Sequence, residues 1–234
     1  VSLEKLKGQL SGSQWSKHHR RIQAVWDERL GREAKEWRRT MHEEGRHSRT
    51  FWLTGRAGQG KTSMAKAICG QEAGGGNYYM SGSTRDLFQN YEGEHHIILD
   101  ELSPKALPFA DMKRVLDPYA VTDNLQAPSR FRDKHFMPEL IVVTSPFDPH
   151  ELYKRQVEDR DLDSFGQLLR RLTLVLELTD DKIRTLEFDP SRREFLPVPG
   201  LEVHNPYSAK SRGEISKTTQ ADAFGAFTEQ LGLE

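Results

Sequence analysis

The sequence has little cysteine and no long apolar run, and both features narrow the class of protein. A single cysteine, Cys69, cannot form an internal disulfide, so the chain does not have the make-up of a disulfide-stabilised secreted scaffold. No stretch approaches the roughly 18 consecutive apolar residues that a membrane-spanning helix needs, and no signal-like segment is present. We therefore expect a cytoplasmic protein that does not contact a membrane. The chain begins at Val1 rather than Met, which indicates a piece of a longer protein.

The chain also lacks an excess of charge of one sign. Lys and Arg number 34 against 35 Asp and Glu, so the net charge is -1, which argues against a simple basic DNA-coating protein. The charge is unevenly spread, however, because residues 1–50 contain twelve Lys and Arg against seven Asp and Glu. A solvated helix face and a local basic patch both fit this excess.

Proline is absent from the first hundred residues, and all 11 prolines lie between Pro104 and Pro206. Residues 1–48 have apolar side chains at helical spacing, which predicts a helical segment in which Ser13 caps a second helix. Residues 49–190 alternate between apolar runs and helical stretches, and residues 191–234 are richer in Pro, Ser and Gly. The prediction is thus a helical segment, one main domain and a partly ordered C-terminal tail.

Four apolar or β-branched runs in the main domain predict buried strands: Thr50–Thr54, His96–Leu99, Leu140–Thr144 and Leu172–Leu178. Helical segments separate these runs. Continuous apolar strands joined by helices are typical of a parallel sheet that is covered on both faces. The predicted fold class is therefore α/β, with a parallel sheet between helices.

A glycine-rich segment directly after the first predicted strand fits the phosphate-loop pattern G-x-x-x-x-G-K-[ST] in full. It consists of Gly55, Arg56, Ala57, Gly58, Gln59, Gly60, Lys61 and Thr62, and Ser63 opens the helical stretch that follows. In this pattern glycines let backbone N–H groups surround phosphates, and the helix N-terminus favours negative charge. Lys61 is predicted to neutralise the β- and γ-phosphates, and Thr62 to bind Mg²⁺.

Two adjacent acids follow the second predicted strand, 39 residues after Lys61. Asp100 is predicted to hold the magnesium ion, and Glu101 to polarise the attacking water. Adjacent acids at a strand end are common on their own, but together with the phosphate loop they predict a nucleoside triphosphatase.

Two further positions each have two interpretations. Thr144 and Ser145 end the third predicted strand, where they either sense the γ-phosphate or simply lead into a proline-rich turn at Pro146. Arg170 and Arg171 end a helix just before the fourth strand. Either arginine fits an arginine finger that reaches a neighbouring subunit's nucleotide, or a basic side chain that favours the helix dipole.

The order of these motifs resembles the superfamily 3 helicases, which are AAA+-type ATPases of viral and plasmid replication initiators. The resemblance covers roughly residues 50–180 and is greatest to the helicase part of rolling-circle Rep proteins of plasmids, prophages or small circular DNA viruses. The segments that carry it are 55–62, 97–101, 112–119, 136–145 and 168–172, and the 83 residues from Lys61 to Thr144 suit the compact spacing of that family.

The resemblance implies an ATP- and Mg²⁺-dependent DNA helicase that forms a hexameric ring and moves 3′ to 5′ on single-stranded or forked DNA. It places a DNA-binding hairpin between the acidic strand and the third motif, where Arg130, Arg132, Lys134 and His135 lie. The alternation of Arg130, Arg132 and Lys134 would put them on one side of a hairpin arm, suited to phosphates, although a solvated loop also fits. By the same resemblance Arg171 is the finger, residues 1–48 form an oligomerisation collar, and the host is a bacterial cytoplasm, or a nucleus for a eukaryotic virus.

Two departures from the family pattern limit what is expected. The family has Asn at the end of its third motif where this chain has Pro146, so the sensing role falls to Thr144 or Ser145. The chain also lacks the His-hydrophobe-His pair of the family's N-terminal nuclease, although Tyr207-Ser-Ala-Lys210 is similar to its tyrosine motif. We expect no nicking activity here, and a nuclease domain elsewhere in the full-length protein.

Three other classes of protein fit the same phosphate loop. A protein-remodelling AAA+ factor or helicase loader would keep Lys61, Asp100 and Glu101 without needing a basic hairpin. A small-molecule kinase would work as a monomer or dimer with a lid. An interaction module with a vestigial site would not turn over ATP.

Overall fold

The computed structural model describes residues 3–75, 77–81, 86–119, 126–127, 134–157, 165–209 and 225. Within them a seven-stranded sheet is formed by β1 (Arg49–Thr54), β2 (Tyr79–Met80), β3 (His96–Leu99), β6 (Leu140–Ser145), β7 (Leu174–Leu178), β8 (Lys182–Asp189) and β9 (Glu194–His204). A separate antiparallel pair consists of β4 (Gln126–Ala127) and β5 (Lys134–His135). The helices are α1 (Leu3–Gly8), α2 (Gly12–Glu43), α3 (Lys61–Glu72), α4 (Phe109–Val115), α5 (Pro149–Gln156) and α6 (Phe165–Leu169).

The central strands are buried on both faces, which explains their continuous apolar sequences. Successive residues of a strand point to opposite faces, so Phe51 and Leu53 pack with α3 residues, while Trp52 packs with residues of α4, α5 and α6. Helices therefore cover both sides of the sheet. The predicted α/β class, a parallel sheet between helices, is confirmed.

The strand order places one strand, β6, between the phosphate-loop strand β1 and the acidic strand β3. The order is β2-β3-β6-β1-β7-β8-β9, and β2, β3, β6, β1 and β7 run parallel. Because the carboxyl ends of parallel strands meet at one edge of a sheet, the residues after β1, β3 and β6 come together there. The register brings Leu53 opposite Thr144 and Leu99 opposite Val143.

The N-terminal segment is helical, as the apolar spacing predicts, but its second helix begins earlier than Ser13. Ser11 is the N-cap: its hydroxyl accepts a hydrogen bond from the Gln14 amide, and the Gln14 side chain accepts one from the Ser11 N–H. This reciprocal capping box explains why α2 starts at Gly12.

The buried residues of α2 lie in its second half, where the helix packs on the sheet domain. These residues, Leu30, Ala34, Trp37 and Met41, form a cluster with Met137. The first half contacts α1, and Val25 there is 65% exposed. Several of the helix's arginines pair with glutamates one turn away, such as Arg29 with Glu33, so part of the basic excess belongs to a solvated face. Despite the length of α2, none of the described helices is both long and apolar enough to cross a membrane.

The sheet continues beyond the predicted boundary at residue 190. Strands β8 and β9 extend it as an antiparallel meander after β7, so that residues 194–204 belong to the sheet and not to a loose tail. The prolines of this segment concealed the strand from the sequence pattern. Pro197 and Pro199 are accommodated because β9 is the edge strand, where an N–H can be missing without breaking an interior ladder.

Candidate active site

The glycine-rich loop connects the end of β1 to the start of α3. Contacts on its outer side explain why two positions of the pattern are glycine. Gly60 has a φ of 86°, in the left-handed region, and a Cβ at this position would lie 2.3 Å from the carbonyl oxygen of Tyr207. A Cβ on Gly55 would lie 2.4 Å from the carbonyl oxygen of Leu178. Both positions therefore require glycine, on grounds of close approach and, for Gly60, of backbone conformation.

The first turn of α3 has no side chain of its own that caps its N–H groups. The N-cap residue is Gly60, which makes no side-chain cap hydrogen bond, and the first turn contains no acid. Helix N-termini carry N–H groups that need acceptors, together with a partial positive charge. This end of α3 is therefore suited to an anion such as a phosphate.

The Lys61 side chain reaches back to the first residues of the loop. Its Nζ donates to the carbonyl oxygens of Gly55 at 2.7 Å and Arg56 at 2.9 Å. Partial burial lowers the pKa of the Lys61 ammonium, while the carboxylates of Glu101 and Asp100 act in the opposite direction. An ammonium that is partly desolvated and close to two acids is placed to neutralise a bound phosphate.

Two threonine hydroxyls meet on one oxygen of Asp100. Thr62 Oγ1, from the start of α3, donates to Asp100 Oδ1 at 2.8 Å. Thr144 Oγ1, from β6, donates to the same oxygen at 2.7 Å and accepts from the Glu101 N–H at 2.9 Å. The sequence-predicted metal and sensing residues Thr62, Asp100 and Thr144 are thus joined in one hydrogen-bonded cluster.

Glu101 adopts a strained backbone conformation immediately after this cluster. Its φ is 50°, one of two positive values among the described non-glycine residues. Such a conformation costs of order 1 kcal/mol or more and persists where the surroundings hold it. The hydrogen bonds from the Glu101 N–H to Thr144 Oγ1 and from the Leu102 N–H to the Thr144 carbonyl at 2.7 Å hold it here. The Glu101 side chain is exposed.

The hydroxyl of Ser145 has a different position from that of Thr144. Ser145 Oγ donates to the Leu102 carbonyl at 2.8 Å and accepts from the Phe147 N–H at 3.1 Å. It therefore ties the loop after β3 to the turn that contains Pro146. Of the two predicted sensing residues, Thr144 is the one whose hydroxyl contacts an acid.

The oxygen donors of this cluster fit magnesium bound together with a phosphate group. Mg²⁺ prefers oxygen ligands and is usually held by one or two carboxylates plus phosphate oxygens and water. The Thr62 hydroxyl and the Asp100 carboxylate are adjacent oxygen donors of this kind. Among the described residues no group of three or more His, Cys, Asp or Glu is arranged to hold a metal, so a protein-only metal cage is not part of this region.

An acidic cleft opens on the other side of the loop. It has a volume of about 760 Å³ and is lined by the start of the loop and by the acids Asp148, Glu151, Glu177, Asp180 and Asp181. Carboxylates repel phosphate groups. Although Arg56 and Arg184 also line it, this cleft is therefore less suited to a phosphate group than the Lys61 side of the loop.

The two candidate finger arginines have different surroundings. Arg171 is largely buried and donates to the Lys113 carbonyl at 2.7 Å, to the Gln167 carbonyl and to Asp117 Oδ2 at 2.7 Å. These contacts connect α6 to the end of α4 within one subunit. Arg170 is exposed.

The predicted hairpin begins and ends with a short antiparallel pair in which Ala127 faces Lys134 and Gln126 faces His135. Arg130 and Arg132 lie outside the described residues. The His135 ring packs against α2, where a Cβ on Gly31 would lie 3.3 Å from Nε2. His135 therefore helps to join this hairpin to α2, and Lys134 is the described basic residue of the arm.

Two polar residues of the site were missed by sequence reasoning. Ser81, after β2, accepts the Asp100 N–H on its Oγ at 2.9 Å. Asn205, after β9, donates from its side chain to the Gln59 carbonyl of the loop at 3.0 Å. The Asn205-Pro206 pair was a turn signal, but only the fold shows which loop that turn contacts.

Tyr207, in the segment with a nuclease-like sequence, is 1% exposed and packs in the core beside α3. Burial raises the pKa of its hydroxyl to about 12. A buried, protonated phenol has neither the access nor the charge of a nicking nucleophile.

Comparison with known proteins agrees with this geometry. Residues 51–147, from β1 to just past β6, match the RNA helicase family. The chain is also 26% identical over 159 residues to a replication protein of Onion yellows phytoplasma (strain OY-M), a match that spans 67% of this chain and 40% of that relative. Both matches support the resemblance to a superfamily 3 helicase domain of Rep type, and such domains use a nucleotide.

Replacing Thr144 with valine tests how much the cluster depends on this hydroxyl. Thr144→Val leaves the Glu101 N–H without its acceptor and removes one donor to Asp100, so the free energy of unfolding should fall by about 1–2 kcal/mol. Thr185→Val is the matched control, because Thr185 is also buried but its Oγ1 has no hydrogen-bond partner in the structure. Urea unfolding of both variants measures the difference, and equal stability of the two would contradict the assignment.

Proposed function

We propose that the chain is the ATP-dependent DNA helicase domain of a replication initiator. The observation that carries this proposal is the meeting of Lys61, Thr62, Asp100 and Thr144 at the carboxyl edge of the parallel sheet. A phosphate loop, a hydroxyl and an acid within hydrogen-bonding distance form a nucleoside triphosphate site. The helicase-family match, together with the likeness to a replication protein, supports DNA replication as the process.

In the proposed mechanism, Lys61 and the N–H groups at the start of α3 hold the phosphates, and Thr62 and Asp100 hold Mg²⁺. Magnesium, when bound, neutralises charge on the β- and γ-phosphates. Glu101 accepts a proton from the water that attacks the γ-phosphate. Thr144 connects Asp100 and Glu101 to β6, so a change at the phosphate alters the hydrogen bonds at the end of that strand.

DNA contact is proposed for the hairpin that β4 and β5 begin. Lys134 lies on its second arm, and Arg130 and Arg132 lie between β4 and β5 in the sequence. Basic residues at every second position suit successive phosphates of a single strand. We propose that hydrolysis moves this hairpin along DNA in the 3′ to 5′ direction.

Ring assembly is proposed through the N-terminal helices, because the first half of α2 lines a surface groove with α1 and exposes apolar side chains such as Val25. A hexamer, an N-terminal nuclease domain in the full-length protein and a bacterial cytoplasmic location complete the proposal. The chain spans less than half the length of the replication protein that it matches, so these properties concern the whole protein.

The proposal is tested by ATP turnover and by strand displacement on forked DNA. Lys61→Ala removes the charge that neutralises the phosphates and should reduce ATP turnover by roughly 100-fold or more. Lys66→Ala, on the exposed side of the same helix, is the matched control and should retain turnover and unwinding.

Changing Arg130, Arg132 and Lys134 together to Ala should abolish strand displacement while sparing DNA-free ATP turnover. Unwinding by that triple variant would overturn the helicase mechanism. ATP turnover by the unmodified chain without unwinding would instead favour a protein-remodelling factor, and no turnover at all would favour a vestigial site.

We further propose that Arg170, and not Arg171, serves as the finger. Arg170→Ala should lower ATP turnover of the assembled ring at least about 100-fold with little change in stability. Arg171→Ala should mainly lower the free energy of unfolding, by about 1–3 kcal/mol, because it removes a largely buried hydrogen-bonded contact between α6 and α4. Mixing Arg170→Ala with Lys61→Ala subunits gives the direct test: if the finger acts between subunits, turnover is partly restored, and if mixing restores nothing, the assignment is wrong.

A further inference from the structure

The segment Asn205–Ala209 follows β9 and returns to cover the outer side of the phosphate loop. Asn205 is fully buried, and it makes hydrogen bonds through its backbone N–H and through both polar groups of its side chain. Its N–H donates to the Asp181 carbonyl at 2.9 Å, and its Oδ1 accepts the Tyr207 N–H at 3.0 Å. Its Nδ2 donates to the Thr179 carbonyl at 2.6 Å and to the Gln59 carbonyl at 3.0 Å. One side chain thus joins the β7–β8 turn to the loop.

A second hydrogen bond connects the same segment to the loop one residue earlier. The Ala209 N–H donates to the Gly58 carbonyl at 2.8 Å. Between these two hydrogen bonds the Tyr207 backbone lies so close to Gly60 that no side chain fits there. The segment therefore contacts three consecutive loop residues.

The direction of these hydrogen bonds matters for phosphate binding. In a planar trans peptide the carbonyl and the following N–H point in opposite directions. Holding the Gln59 carbonyl toward the segment turns the Gly60 N–H away from it, toward the side of the loop proposed for phosphates. The Gln59 N–H donates to the Arg56 carbonyl at 3.5 Å, which closes a turn within the loop. Inward N–H groups are what a phosphate loop needs.

We propose that Asn205 is a positioning residue for the phosphate loop, which holds the loop in its binding conformation before nucleotide arrives. This inference rests on the proposed nucleotide site. A loop that must be ordered by its ligand binds more weakly than one that is already ordered. The segment also links the loop directly to the part of the chain that follows residue 209.

The test compares Asn205→Asp and Asn205→Ala with Asn90→Asp, an exposed control. The aspartate keeps the shape and the acceptor but places a carboxylate oxygen against two carbonyls. In Asn205→Asp the dissociation constant of a fluorescent ATP analogue should rise about tenfold or more, as should the KM for ATP. The kcat at saturating ATP should change less than about threefold, since no reacting atom is touched. An affinity within about twofold of the unmodified chain, in a folded variant, would overturn the proposal.

Hydrogen exchange of the unmodified chain gives a second test that needs no variant. The Ala209 amide should be protected in the absence of nucleotide, because the hydrogen bond to Gly58 is already formed. Exchange of that amide at an unprotected rate would overturn the proposal even if both Asn205 variants failed to fold.

The two proposals fail in different ways. If the unmodified chain does not bind the ATP analogue, the nucleotide site is wrong, whereas the protection of the Ala209 amide still reports on the segment. If the chain binds the analogue and Asn205→Asp binds it equally well, only the positioning role is wrong.

Discussion

The site depends on one carboxylate oxygen that accepts hydrogen bonds from a helix and from a strand. Asp100 Oδ1 receives the hydroxyls of Thr62 and Thr144, which come from the start of α3 and the end of β6. These segments are far apart in sequence and meet only because β6 lies between β1 and β3. A change of strand order would separate the phosphate loop from Asp100.

The same cluster supports the strained backbone of Glu101, the residue proposed to activate water. Thr144 accepts the N–H of Glu101, whose positive φ needs such support. On the opposite side of the loop, the Asn205 side chain holds the Gln59 carbonyl outward. The loop is thus supported from the sheet edge on one side and from the segment after β9 on the other, while the Lys61 side chain reaches back to its first residues.

Local motifs predicted much of this arrangement. The phosphate loop and the strand ending in Asp100 have sequence patterns that follow directly from their chemistry, and the four buried parallel strands have continuous apolar runs. The site's other half depends on contacts between distant segments. Ser81 and Asn205 are ordinary polar residues in sequence and acquire their importance only from the loops that they contact.

The points at which the structure differs from the expectations drawn from sequence have physical reasons. Pro197 and Pro199 suggested a loose tail, but an edge strand tolerates them. Arg171 precedes an apolar strand as a finger would, yet Asp117 and two carbonyls surround it, which a single sequence does not reveal. Ser13 was a plausible cap, and Ser11 is the cap because Gln14 completes the reciprocal pair.

The central claim is that Asp100 and Thr62 hold the metal of a bound nucleotide. Its most direct test is the affinity for an ATP analogue, measured with magnesium and with a chelator, in the unmodified chain, in Asp100→Asn and in the α4 control Asp111→Asn. Magnesium should tighten binding to the unmodified chain and to the control, and the gain should largely disappear in Asp100→Asn. An undiminished magnesium gain in Asp100→Asn would contradict the assignment of this cluster.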